Sequence, residues 1–112
     1  MLWISNFNLK EYKAKEYQKF IKENGKTMAE HAPNGWKCLG TYFYVLGFNP
    51  CTCATFWECS NYADVDAWRN HDDPIWLKLG ENEMEFVMPE PIPSWLLRGV
   101  GDTKITESKK KP

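Results

Sequence analysis

At 112 residues, with 43% hydrophobic and 26% charged residues, the chain fits one globular domain. A net charge of −1 excludes a broad phosphate-binding surface, so nucleic acid is not an expected partner. No apolar run approaches the roughly 18 residues a membrane helix needs, and Met1–Ile4 form no secretory leader. The expectation is a cytoplasmic protein with no membrane partner, whose Cys38, Cys51, Cys53 and Cys59 are buried thiols.

The unusual figure is 15% aromatic residues, six of them Trp. Each buries about 150–250 Å². One small core does not readily hide so many, so part of the set is expected to line a pocket or a subunit interface.

In chain order, residues 2–7 read as a strand bounded by polar residues. Asn8 followed by Glu11 resembles a capping box, with Phe7 and Tyr12 as its hydrophobic staple. A helix follows, with Tyr17, Phe20, Ile21, Met28 and Ala32 near helical spacing and Gly25 as its weak point. Pro33-Asn34-Gly35 ends it. Residues 36–46 and 51–59 read as two strands of a hairpin turning at Gly47-Phe48-Asn49-Pro50. A two-residue loop would set Cys38 opposite Cys59 and put Tyr42 and Tyr44 on the face of Trp57.

Asn61 is expected to cap a second helix carrying Ala63, Val65 and Trp68. Asp72-Asp73-Pro74 interrupts it and starts another, because proline suits the first helical position with a carboxylate just before it. Ile75, Leu79 and Phe86 are placed on its buried side. Pro89, Pro91 and Pro93 make an extended linker to a last strand over residues 95–100.

Strand, helix, hairpin, helix, strand is the ferredoxin-like βαββαβ order. The predicted fold is α+β: a four-stranded antiparallel sheet with helices on one face, over residues 1–101. Residues 102–112, with Lys104 and Lys109–Lys111, are expected to be a flexible tail. The hairpin is apolar on both faces, whereas a sheet with one wet face alternates more cleanly. Two helical regions cover one face. The simplest second cover is another copy of the chain, so a homodimer is expected.

The stretch from Phe56 to Arg69, Phe56-Trp57-Glu58-Cys59-Ser60-Asn61-Tyr62-Ala63-Asp64-Val65-Asp66-Ala67-Trp68-Arg69, ends a strand and opens a helix. It resembles the same junction in the dimeric α/β-barrel superfamily, which includes antibiotic-biosynthesis-monooxygenase-like and NIPSNAP-like domains. The resemblance implies a homodimer whose two sheets pack into a barrel, and in each subunit a cleft between sheet and helices. That superfamily spans cofactor-free oxygenases, haem-degrading enzymes, lyases, isomerases and members without known activity, so the fold alone does not select a reaction. Asn6 and Trp68 match the Asn and Trp of the haem-degrading relatives. Their axial histidine would fall about three turns after Trp68, where Ile75-Trp76-Leu77-Lys78-Leu79 has none. That departure argues against haem, and no bound cofactor is expected.

His31 and His71 are the only histidines and the candidate catalytic bases. Equally, His31 at a helix end can complement the dipole, and His71 beside Asp72 and Asp73 can serve a helix start. Tyr42, Tyr44, Trp57 and Trp68 are candidates to stack on a flat ligand, or to pack a core, and Asn6 is a further pocket candidate. Arg98, beside apolar neighbours on the last strand, needs a partner if buried, and an acidic ligand is one option. Cys51-Thr52-Cys53 resembles half a metal site, but no second close pair exists, so no metal is expected. Phosphate loops, nucleophile elbows and zinc-protease motifs are absent from the sequence. The leading expectation is a homodimer binding a small apolar or aromatic molecule in the cleft, as a cofactor-free oxygenase or isomerase-like enzyme. A non-catalytic dimerisation or regulatory module and a Cys-based redox or metal protein remain the alternatives.

Overall fold

A computed structural model describes residues 1–45 and 51–102. The expected turn at residues 47–50 and the lysine tail lie outside the described residues. The elements are β1 (Leu2–Phe7), α1 (Ala14–Glu30), β2 (Lys37–Phe43), β3 (Cys53–Glu58), α2 (Ala63–Arg69), α3 (Pro74–Met84) and β4 (Trp95–Leu97), then a 3-10 turn, Val100–Asp102. The four strands form one antiparallel sheet in the order β2-β3-β1-β4. This is the ferredoxin-like arrangement, with the second helical region split into α2 and α3.

β1 lies at the centre, with Trp3 opposite Trp57 and Phe7 opposite Cys53. Directly opposed residues share a face. Phe7 meets Tyr17 of α1 edge-on at 5.6 Å, and Trp57 meets Trp68 of α2 at 5.1 Å, so this face carries the helices. The core sits between them, around Tyr17, Phe20, Cys53 and Trp57. Phe86 closes it against Tyr17 and Phe20 with ring centroids 6.0 and 5.4 Å away.

The hairpin register differs from the expectation. Cys38 lies opposite Trp57, not Cys59, and Tyr42 lies opposite Ala54. The pairing shifts between Cys38 and Gly40, where Gly40 has φ of 129°. A bulge adds one residue to one strand and moves every later side chain to the other face. Tyr42 therefore points away from the helices, beside Phe56 at 5.4 Å.

Two expected caps also differ. Helix α1 starts at Ala14, and Asn8 does not cap it. The chain after β1 keeps pairing instead: Leu9 bridges Val87, and Lys10 N–H donates to the Phe86 carbonyl at 2.8 Å. Asn8 Oδ1 accepts from the Thr52 N–H at 2.8 Å, and Tyr12, at φ 63° and 91% exposed, is no staple. At α2, Asn61 gives no side-chain cap; Asp64 Oδ2 reaches back to accept from the Ser60 and Asn61 N–H groups. The break at Asp73-Pro74 is as expected. Asp73 Oδ1 accepts from Ile75 and Trp76 N–H at 2.9 and 3.1 Å, and Pro74 opens α3.

Candidate functional site

Between the helix-bearing face of the sheet and the helices lies a cleft of about 510 Å³. That is within the usual range for small-molecule sites, roughly 300–1,000 Å³. Ser5, Thr41, Thr55 and Trp57 form its floor, and Ile21 and Met28 of α1 face Trp76 and Glu83 of α3 across it. The space between the helices is held open by small residues. Gly25 on α1 and Gly80 on α3 both line the cleft, and a Cβ added at Gly80 would meet nothing within 4 Å.

Three indoles wall one end. Trp57, Trp68 and Trp76 meet pairwise at 5.1, 5.7 and 5.3 Å with interplanar angles of 86°, 76° and 89°. Edge-to-face contacts of this kind add about 0.5–1.5 kcal/mol each beyond burial. Trp36 backs Trp68 at 4.9 Å, its indole N–H donating to the Asp64 carbonyl. The wall is thereby fixed from the strand, from α2 and from α3.

The polar groups of the cleft are few and connected. On the floor, the Thr41 and Thr55 hydroxyls are 2.9 Å apart. Across from them, the Tyr17 hydroxyl donates to Glu83 Oε2 at 2.9 Å. The lining residues include no Lys, Arg or His. Burial without a countercharge raises the Glu83 carboxyl above the usual carboxylate range, and the Tyr17 bond pulls it back in part. Burial, then the charge and hydrogen bond of Glu83, drive the Tyr17 hydroxyl far above its ordinary value, against a smaller pull from Thr41. Burial also raises the Cys38 thiol in the cleft and pushes Cys53 behind it up to about 12. Such thiols stay protonated at neutral pH and are poor nucleophiles and poor metal ligands.

The residues singled out from the sequence fall into three places. Trp57 and Trp68 line the cleft. Tyr42 and Asn6 belong to the opposite face of the sheet. Asn6 is 5% exposed, accepts from the Tyr44 hydroxyl at 2.7 Å and donates to the Pro93 carbonyl at 3.0 Å, so it pins the proline linker. Arg98 is not buried: it follows β4 in the open, its guanidinium 5.9 Å from the Tyr62 ring centroid.

His31 and His71 come together, though neither lines the cleft. His31 Nδ1 lies 2.8 Å from Asp73 Oδ2. His71 Nε2 is 2.6 Å from the His31 carbonyl and so carries the proton it donates there. The hydrogen bond from His31 holds the Asp73 carboxyl below its ordinary range. The three residues clip the end of α1 to the start of α3. Among the described residues, no three His, Cys, Asp or Glu side chains group as a metal site, and Cys38, Cys53 and Cys59 are free thiols.

Glu83 is the functional candidate that the sequence pattern did not expose. Its signal is the spacing Trp76, Gly80, Glu83, a stripe that follows one face of α3 into the cleft. Reading Ile75 as the buried position rotates that stripe by one residue; Ile75 is 46% exposed. A glycine and a glutamate hid the true face from a hydrophobic-periodicity argument.

The architecture can be set beside known structures. An uncharacterized NIPSNAP domain protein from Burkholderia xenovorans superposes with a TM-score of 0.67 at 15% identity, over 88% of this chain and 94% of that one. The chain has the fold of these domains. A second NIPSNAP-like domain protein from the same organism gives 0.64 at 13% identity, over 94% and 90%. A structural-genomics protein from Agrobacterium tumefaciens gives 0.61 at 21% identity, over 79% and 85%. No protein-family model and no curated protein matches the sequence. No helix among the described residues is long and apolar enough to cross a membrane.

Proposed function

We propose that the protein binds a small, planar, largely apolar molecule in the NIPSNAP-type cleft between sheet and helices, and acts on it as an isomerase-like or oxygenase-like enzyme without a bound cofactor. The observation that carries this reading is the cleft itself. About 510 Å³ stays open although three tryptophans converge on it. Had the aromatics served packing alone, their side chains would close that space. Two helix-interior glycines, each costing about 1 kcal/mol relative to alanine, hold it open instead. Titrating the protein with a panel of uncharged planar aromatics, phenols and quinones tests the reading, with Trp fluorescence and Tm as signals. A saturable response with a matching rise in Tm supports it; a flat response across the panel removes it.

The opposite face of the sheet supports a second part of the reading, a homodimer. There Tyr42, 55% exposed, and Phe56 border a shallow apolar hollow of about 330 Å³ together with Leu39, 38% exposed. Apolar surface of this kind on the face of a sheet favours a cover. Light scattering at micromolar concentration should return twice the chain mass, and Tyr42→Asp should shift it to the monomer.

A further inference from the structure

We propose that Glu83 is the general base of the cleft, its Oε1 taking a proton from an acidic C–H or O–H of a planar apolar substrate laid against Trp57, Trp68 and Trp76. The inference rests on the binding reading above and goes further, to the reacting atom and the class of substrate.

The geometry gives the two carboxylate oxygens different tasks. Oε2 is held by the Tyr17 hydroxyl at 2.9 Å. Tyr17 is itself fully buried in the core, so the carboxylate is oriented by a fixed donor. Oε1 has no hydrogen-bond partner among the described residues. No buried side-chain oxygen or nitrogen among them is left without one, so Oε1 is open to the cleft that Glu83 lines. A base must be within reach of the proton it removes, and this oxygen is the one aimed at an occupant.

The electrostatics suit the task. Tyr17 from α1 and Cys38 from β2 face Glu83, and Cys53 of β3 lies behind Tyr17. All three are neutral groups whose own ionisation is suppressed first by burial. With no cation in the lining, the carboxyl is a stronger base than one in water, which brings it closer to working pH. The indole wall meanwhile selects a flat apolar partner, and a carboxylate site rejects acidic ligands that bring their own negative charge.

The step balances without any further reactant. The substrate C–H or O–H bond breaks, an Oε1–H bond forms, and the electron pair stays on the substrate as an enolate- or phenolate-like anion. Returning the proton at a different atom completes an isomerisation and regenerates the carboxylate. Tyr17 does not touch the substrate; it is a positioning residue.

5-Nitrobenzisoxazole is a suitable probe, being planar, apolar and armed with one acidic C–H. Removal of that proton by Oε1 lets the C–H electrons form a nitrile while the N–O bond breaks, releasing a coloured phenolate. With the full chain, turnover should saturate, and Glu83→Gln should lower kcat by roughly 10²-fold or more. The wild-type rate should rise with pH as the carboxylate forms, with its inflection above the ordinary carboxylate range. Tyr17→Phe should move that inflection higher, because the lost bond favours the ionised form; an unmoved inflection overturns the positioning role. If the probe quenches Trp fluorescence saturably in wild type and Glu83→Gln yet both turn over equally, the base assignment is wrong while binding stands. Should Glu83→Gln not fold, a wild-type rate independent of pH overturns the assignment by itself. No saturable quenching in the wild type refutes the binding reading for this probe class, and the inference with it.

Discussion

The Tyr17 hydroxyl on α1 donates to Glu83 Oε2 on α3 across 2.9 Å, and this bond joins the two longest helices over the open cleft. Its consequence for stability has a definite sign. The folded Glu83 carboxyl titrates above its unfolded value, chiefly because of burial. Between the two values the folded chain keeps a proton that the unfolded chain has released. Stability from this group is therefore complete below the unfolded pKa, about 4.3 for a free Glu, and declines as pH rises through the folded one. Thermal melts of wild type and Glu83→Gln from acid to neutral pH should diverge, with the variant gaining on the wild type as pH rises. Parallel curves would mean that the carboxyl is not held in this environment.

Gly80 shows how the cleft stays open. A Cβ there meets nothing within 4 Å, and leucine improves helix propensity by roughly 1 kcal/mol, so Gly80→Leu should keep or raise Tm. The same side chain occupies the ligand's volume. Affinity for the best ligand of the aromatic panel should fall by roughly tenfold or more, equivalent to about 1.4 kcal/mol. Isothermal titration beside a melt separates the two effects.

Asp73 has two oxygens with separate duties, one capping α3 and one meeting His31. Asp73→Asn keeps a good cap residue and removes the charge. The folded carboxyl titrates below its unfolded value, mainly through the His31 bond. Its contribution is present above the unfolded pKa and lost as pH falls through the folded one. Wild type should exceed the variant in Tm at neutral pH, and the gap should close in acid. Activity on a cleft ligand should be little changed, since His31 and Asp73 do not line the cleft.

Two glycines should respond oppositely to alanine. Gly35 has φ of 87°, and a Cβ there would strike the Asp64 carboxylate that holds the Ser60 and Asn61 N–H groups. Gly35→Ala should destabilise by roughly 1–3 kcal/mol. Gly25 sits inside α1, where a Cβ meets Ile21 at an ordinary 3.6 Å. Gly25→Ala should stabilise by about 0.5–1 kcal/mol. Urea melts of the pair check both signs.

Local signals in the sequence carried the element order well. Asp73-Pro74 marks a helix start by chemistry that needs no neighbours, and the structure keeps it. The spacing of Tyr17 and Phe20 likewise finds the buried side of α1. What was not legible depended on partners distant in the chain. Asn8 has the composition of a cap, yet the Leu9–Val87 bridge delays the helix and gives its side chain to Thr52. The bulge at Gly40 turns Tyr42 away from Trp57 although simple alternation would join them. Glu83 reads as surface because a carboxylate in a helix usually is. Only the face shared with Trp76, seven residues earlier, places it in the cleft.

The most direct measurement is the indole N–H spectrum of the ¹⁵N-labelled protein during titration with a planar aromatic ligand such as 2-naphthol. Six signals are expected from the six tryptophans. Trp57, Trp68 and Trp76 should shift together and saturate with one affinity, while Trp95, half exposed on the edge strand β4, should stay in place. Saturable shifts confined to Trp95, or none at all among the three wall indoles, would contradict a ligand seated in the cleft.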